Sequence, residues 1–434
     1  MLEHAQATAP DTGTARRLKA IFIGSIGNLV EWYDFYAYAA FSLYFAASFF
    51  PKDDAVTQQL NSAIIFALAF FARPVGAWLF GNLADRHGRR LSLIASVTMM
   101  CFGSLLIAVA PTYATIGIGA PVLLSLARII QGISLGGEYG ASASFLSETS
   151  DPKRRGFYCS FLYVTLIGGQ LAAVLVLLAL QRVFLDDAQL RAWGWRIPFA
   201  IGAGLSIVAA LMRGTLQETE AFVVTKSVVR PSLWSFLKYP KEVFLVIGLT
   251  MGGTAAFYTY TTYMQKFLKL SVKLSDDQTT LVTAGSLLFA ILLQPVYGTL
   301  SDRIGRKPML IGFGVLGVLF TIPLLTALQA TKSPVTAFLL IAGAWLIVSG
   351  YTSINAIVKA ELFPTSVRAT GVAVPYALTV AVFGGTVDWA ALKAQDLGHQ
   401  EYFYYYLTAV IAVSLVVYML MRDTGKDSAM DLPA

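Results

Sequence analysis

Glu31 and Asp34 stand three residues apart inside an apolar run, with Asn28 one turn before them. On a helix that spacing sets both carboxyls on neighbouring parts of one face. Ionisable groups inside a bilayer are costly unless paired or hydrated, so they mark ion or substrate pathways. A carboxyl placed there can take up and release a proton, and an arginine placed there can hold a carboxylate in two parallel hydrogen bonds. The chain supplies both kinds: Arg73 and Arg128 lie within apolar runs, Glu138 follows Arg128 by ten residues, and Asp388 lies near the outer end of a later run. Asp34 and Arg128 both fall near mid-membrane, on segments expected to face one cavity. A proton on Asp34 would release Arg128, and the released guanidinium would bind a substrate carboxylate. Glu31 competes with Asp34 for the proton, and an inert ion pair between the two helices fits the same spacing.

The other charged and polar residues divide in the same way. Arg73, about 12 Å in from the end of its helix, is a substrate cation or the partner of an inner acid. Arg196, in Trp193-Gly194-Trp195-Arg196-Ile197-Pro198, binds substrate or anchors the outer interface. Lys359, two residues before Glu361, reads as an interfacial base. Tyr258, Thr262 and Gln265 fall at i, i+4 and i+7, Tyr351 and Asn355 at i and i+4, and Tyr163 and Gln170 at i and i+7. Each set shares a helical face. Such stripes line a pathway or meet another helix, and the pathway is the reading adopted for them. Three scattered histidines, His4, His87 and His399, and two cysteines, Cys101 and Cys159, offer no spacing for a metal site, a disulfide framework or a covalent active site. No cofactor is expected beyond a coupling proton.

Apolar segments must position these groups. The chain is 56% hydrophobic and 13% charged, with a mean hydropathy of +0.65 over 434 residues, too apolar for a soluble protein. Segments of about 20 residues, the length that crosses a bilayer, fall near 21–45, 58–81, 91–110, 120–147, 157–181, 195–213, 243–266, 279–298, 308–328, 334–360, 367–391 and 402–421. Twelve spans place both termini on one side. Taking that side as the cytoplasm puts the larger share of Lys and Arg inside. The polar first twenty residues end in Arg16, Arg17 and Lys19 without a small-residue cleavage site, so the first span is read as retained. The net charge of +7 lies in short loops and not in a basic domain, which speaks against nucleic acid. The expected organisation is a cytoplasmic tail (1–20), a six-helix bundle (21–213), a cytoplasmic linker (214–241), a second bundle (242–421) and a cytoplasmic tail (422–434). No obligatory protein partner is implied.

The two bundles repeat. Gly81-Asn-Leu-Ala-Asp85-Arg86-His87-Gly-Arg89-Arg90 returns half a chain later as Gly298-Thr-Leu-Ser-Asp302-Arg303-Ile-Gly-Arg306-Lys307. Glu148 and Arg155 return as Glu361 and Arg368 at the same seven-residue spacing. Two echoes in one order imply duplication and a pseudo-two-fold axis. Asp85 and Asp302 can accept from N–H groups at a neighbouring helix N-terminus and from adjacent bases, locking the cytoplasmic side while the outside is open. The two Glu–Arg pairs would extend that gate.

The loops resemble the paired signature of the major facilitator superfamily. Gly27-Asn28-Leu29-Val30-Glu31-Trp32-Tyr33-Asp34-Phe35, Arg73-Pro74-Val75-Gly76, the stretch from Arg128 through Gln131-Gly132 to Gly136-Gly137-Glu138-Tyr139-Gly140, and Trp193 to Phe199 resemble its metabolite:proton symporter family, and within it the α-ketoglutarate permeases. This covers nearly the whole chain. The resemblance implies an all-α membrane protein with twelve transmembrane helices in two six-helix pseudo-symmetric bundles, placed in a bacterial inner membrane. It implies symport of a proton with a small anionic organic acid, 2-oxoglutarate first. Another acid such as an oxo-adipate, citrate or shikimate comes next, then a zwitterionic osmolyte, and a transporter-like nutrient receptor is the reading from a different class. An acid on the first helix and an arginine on the fourth is also similar to the arrangement in proton-coupled sugar porters.

Overall fold

The computed structural model describes residues 12–51, 54–87, 89–136, 143, 146–147, 150–214, 238–364 and 367–428, among which no strand occurs. The first half contains α1 (Thr12–Phe49), α2 (Ala55–His87), α3 (Arg89–Ala108), α4 (Gly119–Leu135), α5 (Arg155–Ala179) and α6 (Ile197–Gly214). The second contains α7 (Pro240–Tyr258), α8 (Asp276–Ile304), α9 (Arg306–Ala330), α10 (Pro334–Thr352), α11 (Arg368–Phe383) and α12 (Glu401–Leu420). Ten of these, all but α1 and α4, belong to stretches long and apolar enough to cross a membrane; α4 is a shorter apolar helix. Four helices, α1, α2, α8 and α9, run beyond the expected apolar windows at both ends. Polar caps close two of the helix starts: Ser275 forms a capping box with Gln278 at the start of α8, and Ser333 accepts from the Thr336 N–H at the start of α10.

The duplication is present in the packing. In the first half α1 packs on α5 and α6, α3 on α6, and α4 on both α2 and α3. In the second half α7 packs on α11 and α12, α9 on α12, and α10 on both α8 and α9, which repeats every contact six helices later. The seams between halves obey the same shift: α5 lies on α8, and α2 lies on α11.

Both glycines of the second repeated loop have structural reasons. A Cβ on Gly298 would fall 2.6 Å from the carbonyl oxygen of Gly156 across the α5–α8 seam, and a Cβ on Gly156 would meet Gly298 just as closely. Gly305 turns the chain between α8 and α9 at φ 99°, ψ 165°, a region almost reserved for glycine. Gly298→Val should therefore wedge this seam open. Overpacking costs about 1–3 kcal/mol, enough to raise the open fraction about tenfold. Cys159, buried on α5 near Asp302 and Arg306, reports on it. With Cys101 replaced by Ser, maleimide labelling of Cys159 should accelerate correspondingly, and an unchanged labelling rate would show that the seam tolerates the added bulk.

Three helices depart from the continuous spans expected. α7 continues through a π-helical turn, Thr259–Tyr263, into Met264–Leu270. Thr259, Thr261 and Thr262 each bond back to the carbonyl four residues earlier, competing with the helix ladder there. α10 breaks at Ser353–Ile354 before resuming as Asn355–Glu361, and α11 breaks at Gly384–Thr386 before Val387–Asp396. Of the expected fourth span, the part beyond Gly136 lies largely outside the described residues, as do the terminal tails in large part and residues 215–237 of the linker.

Candidate functional site

α2 and α4 approach closely because they meet through glycines. A Cβ on Gly132 would lie 2.1 Å from the Ala69 carbonyl oxygen, and one on Gly136 would lie 2.1 Å from that of Arg73. This contact sets Arg73 and Arg128 around a single ring of α1. The Arg73 guanidinium carbon is 4.6 Å from the Phe35 centroid and that of Arg128 is 4.5 Å from it. Phe70 and Trp32 complete the surroundings of Arg73, and Tyr38 and Phe66 those of Arg128. Aromatic faces stabilise a cation but fill none of its N–H positions. Arg128 Nη1 donates to Gln131 Oε1 at 2.6 Å and to the Phe35 carbonyl oxygen at 3.4 Å. Nε and Nη2 of both arginines are buried without a hydrogen-bond partner. Buried donors left bare are costly, and a carboxylate would satisfy them.

The acids of α1 are placed differently from the expected Asp34–Arg128 pair, and no direct ion pair joins these two among the described residues. Asp34 faces α6, where Ser206 Oγ donates to Oδ2 at 2.9 Å. Oδ1 has no partner, and it lies so near Gly202 that a Cβ there would be 1.6 Å away. The connection to Arg128 is indirect. Ser104 lies beside the Asp34 carboxyl and accepts from Gln131 Nε2 at 2.9 Å, and Gln131 Oε1 accepts from Arg128. Glu31 instead meets Arg213 at the end of α6, with Nη1–Oε1 2.7 Å and both side chains buried. Arg213 also donates to the Leu93 carbonyl oxygen. Glu31→Gln removes the counter-charge of a buried guanidinium, which should cost about 3–5 kcal/mol. Adding Arg213→Met should restore most of that loss. Thermal unfolding in detergent tests the prediction, and parental melting of Glu31→Gln alone would contradict it.

A layer of phenols from both halves faces Arg73. The Tyr258 ring meets Phe70 edge-on at 5.1 Å, and its hydroxyl lies beside both the Arg73 guanidinium and Tyr36. Tyr351 Oη donates to Asn355 Oδ1 at 3.1 Å, and Asn355 Nδ2 donates to Tyr163 Oη, joining α5 to α10. Tyr376 on α11 hydrogen-bonds Tyr163 and neighbours Tyr258, Tyr351 and Arg73. Gln170 is buried on α5, its Oε1 without a partner.

Several sequence-derived candidates fall elsewhere. Thr262 donates to Asp388 at 2.8 Å, and Lys266 pairs with the same carboxylate, all three being buried between α7 and α11. Gln265 Nε2 reaches across the halves to the Ala40 carbonyl oxygen at 3.0 Å. The stripe Tyr258, Thr262, Gln265 is thus divided, because the π turn rotates the residues that follow it. Arg196 stays away from the arginine pair: it donates to the Ala110 carbonyl oxygen at 3.0 Å and lies 4.1 Å over Trp195. Lys359 is not interfacial, since it is wholly buried with Nζ 3.6 Å from the Tyr376 centroid. Glu138 lies outside the described residues.

Polar contacts close both faces of the described molecule. On the face of the repeated loops, Asp302 accepts from the Gly156 and Phe157 N–H groups at the start of α5, at 2.8 and 2.9 Å, and from Arg306 Nη1 at 2.8 Å. Glu361 turns to Arg306 at 3.7 Å and to Thr424 Oγ1 at 2.7 Å. Arg368 Nε donates to the Phe363 carbonyl oxygen, Arg155 lies near Glu361, and Arg303 is exposed. The backbone of Gly81, Asp85, Arg86 and His87 belongs to α2, and Arg89 opens α3. Their side chains, and Glu148, lie outside the described residues. On the opposite face Arg182 binds Asp277 at 2.6 and 2.8 Å, and Arg191 Nη2 binds Asp276 at 2.9 Å. These bridges are solvent-accessible, hence weak and easily parted. Arg213, Lys266, Tyr36, Tyr376 and the Arg182–Asp277 bridge were not among the sequence-derived site residues. A helical-spacing signal existed for Lys266, which follows Thr262 at i+4 and Tyr258 at i+8.

A family model described as Sugar (and other) transporter matches residues 20–232 and 227–432. The chain is 47% identical to the Alpha-ketoglutarate permease of Escherichia coli K12, over 97% of this chain and 98% of that protein. It is 31% identical to the Proline/betaine transporter of the same strain, over 96% of this chain and 85% of that protein. Among solved structures, the proton:xylose symporter XylE bound to 6-bromo-6-deoxy-D-glucose superposes with a TM-score of 0.76 at 17% identity, covering 96% and 98% of the two chains. The partially occluded inward open xylose transporter XylE from E. coli gives a TM-score of 0.75 at 17% identity, covering 94% and 99%.

Proposed function

Because the chain belongs to the Sugar (and other) transporter family and has the twelve-helix major facilitator fold, we propose that it imports a small dicarboxylate, 2-oxoglutarate first, together with a proton. It is a multi-pass membrane transporter, not an enzyme. The observation that carries the proposal is the pair of buried guanidiniums, Arg73 and Arg128, whose Nε and Nη2 atoms lack partners and which neighbour a layer of phenols. An anion with a planar carboxylate suits such donors. The 47% identity to an Alpha-ketoglutarate permease supports the substrate class.

The proposed cycle makes use of these contacts. With the Arg182–Asp277 face parted, Asp34 takes a proton, the Ser104–Gln131 link relaxes, and Arg128 turns with Arg73 to the substrate carboxylate. Closure re-forms the Gln265–Ala40 contact. The Asp302 contacts at the start of α5 then part, and release of substrate and proton resets Asp34. The face of the repeated loops is the cytoplasmic one in this scheme, both termini lie on it, and the membrane is a bacterial inner membrane. The first and second six-helix bundles rock about their shared centre, joined by the polar linker. No cofactor beyond the proton and no protein partner takes part.

A zwitterionic osmolyte is the second reading, favoured by the 31% identity to a Proline/betaine transporter. Its cationic end would have to sit near two guanidiniums, which disfavours it. The test is uptake into proteoliposomes with an acidic exterior, using labelled 2-oxoglutarate and succinate, citrate, shikimate and betaine as competitors. Concentrative uptake blocked by dicarboxylates is expected. Uptake blocked by betaine but not by succinate would replace the proposal with the second reading.

A further inference from the structure

Arg73 and Arg128 can hold a carboxylate, but a guanidinium by itself does not tell a 2-oxo acid from a plain diacid. A ketone oxygen is an acceptor without charge, so reading it takes a neutral donor beside the cation that holds the adjoining carboxylate. Tyr36 has that position. α1 is unbroken from Thr12 to Phe49, and Tyr36 follows Trp32 by one turn. Its ring stacks on Trp32 at 5.5 Å and meets Phe35 edge-on at 5.6 Å, and the Arg73 guanidinium lies over the same two rings at 5.1 and 4.6 Å. The side chain is wholly buried, and its hydroxyl, which neighbours Arg73 and Tyr258, makes no hydrogen bond. A buried hydroxyl left unpaired is costly, and this one stands beside a guanidinium whose Nε and Nη2 are also bare.

We propose that the Tyr36 hydroxyl donates a hydrogen bond to the 2-oxo oxygen of the substrate while Arg73 holds the carboxylate next to it. The inference rests on the dicarboxylate reading above and names the group that selects within that class. In a 2-oxo acid the ketone oxygen lies beside a carboxylate oxygen, so donors from adjacent turns of α1 and α2 reach both. Glutarate has the same length and the same two charges but no acceptor at that carbon, and it leaves the hydroxyl bare. Tyr258 also lies beside Arg73, but it comes from the second half and meets the first through Phe70. Its place shifts as the halves rock, whereas Tyr36 belongs to the same half as Arg73 and keeps its position on Trp32 and Phe35 through the cycle.

The test compares 2-oxoglutarate with glutarate as competitors for counterflow of labelled 2-oxoglutarate in proteoliposomes containing the full chain. The parent should prefer 2-oxoglutarate about 3- to 10-fold, the worth of one hydrogen bond. Tyr36→Phe keeps the ring and removes the oxygen. It should weaken 2-oxoglutarate by that factor, leave glutarate within about twofold, and so abolish the preference. Inhibition by glutarate in the same preparation shows that the variant is folded, and the preference of the parent is read without any variant. A parent that treats the two acids alike overturns the proposal. So does a Tyr36→Phe protein that keeps the preference or loses both acids equally, which leaves Tyr36 as a packing residue of α1. If the parent ignores both acids, the functional reading falls first and takes this inference with it.

Discussion

Asp34→Asn will exchange 2-oxoglutarate across a proteoliposome membrane but will not concentrate it. The amide is isosteric with the carboxyl and can still accept from Ser206, so the close fit against Gly202 is kept. What is lost is the ability to gain and lose a proton at a buried position that has no ion-pair partner among the described residues. Counterflow should stay within about twofold of the parent, because surroundings that pack equally well leave binding nearly unchanged. Accumulation driven by an imposed pH gradient should fall to the equilibrium ratio. Both readings come from one preparation, which separates coupling from folding. Concentrative uptake by Asp34→Asn would move the proton site to another acid, with Glu31 next in line.

Arg73→Leu should fail in the opposite pattern, losing exchange and accumulation together. Its guanidinium is buried among Phe35, Phe70 and Trp32, where truncating one member of a buried charged contact costs about 2–5 kcal/mol or more. Uptake at low substrate concentration should fall about 100-fold or more. Arg73→Lys should recover only part of it, because an ammonium cannot make the two parallel bonds. Initial rates measured across substrate concentration distinguish this from a coupling defect. Full exchange by Arg73→Leu would leave Arg128 as the carboxylate-binding residue and make Arg73 a packing group.

The centre was only partly legible in the sequence. Asp34, Glu31, Arg73 and Arg128 could be singled out because a charge in an apolar run is conspicuous whatever surrounds it. Their partners could not. Glu31 meets Arg213, which lies at the edge of the polar linker, and Asp34 reaches Arg128 only through Ser104 and Gln131. Lys359 reads as interfacial in the sequence because it stands near Glu361, but α10 breaks at Ser353–Ile354 and Lys359 lies over Tyr376. Thr262 and Gln265 kept helical spacing with Tyr258, yet a π turn sends one to Asp388 and the other to Ala40.

The class of the molecule is legible in the residue order: twelve apolar segments, two repeated halves and a few intramembrane charges. Hydrophobic length and repetition are local properties, readable one segment at a time. Which charges neutralise each other depends instead on how the helices pack. Asp302 meets the start of α5 because Gly156 and Gly298 let two backbones touch, and Arg73 comes beside Arg128 because glycines let α2 and α4 approach. Those distances depend on how separate helices pack, and in a buried centre a displacement of a few ångströms separates a satisfied ion pair from a guanidinium open to substrate.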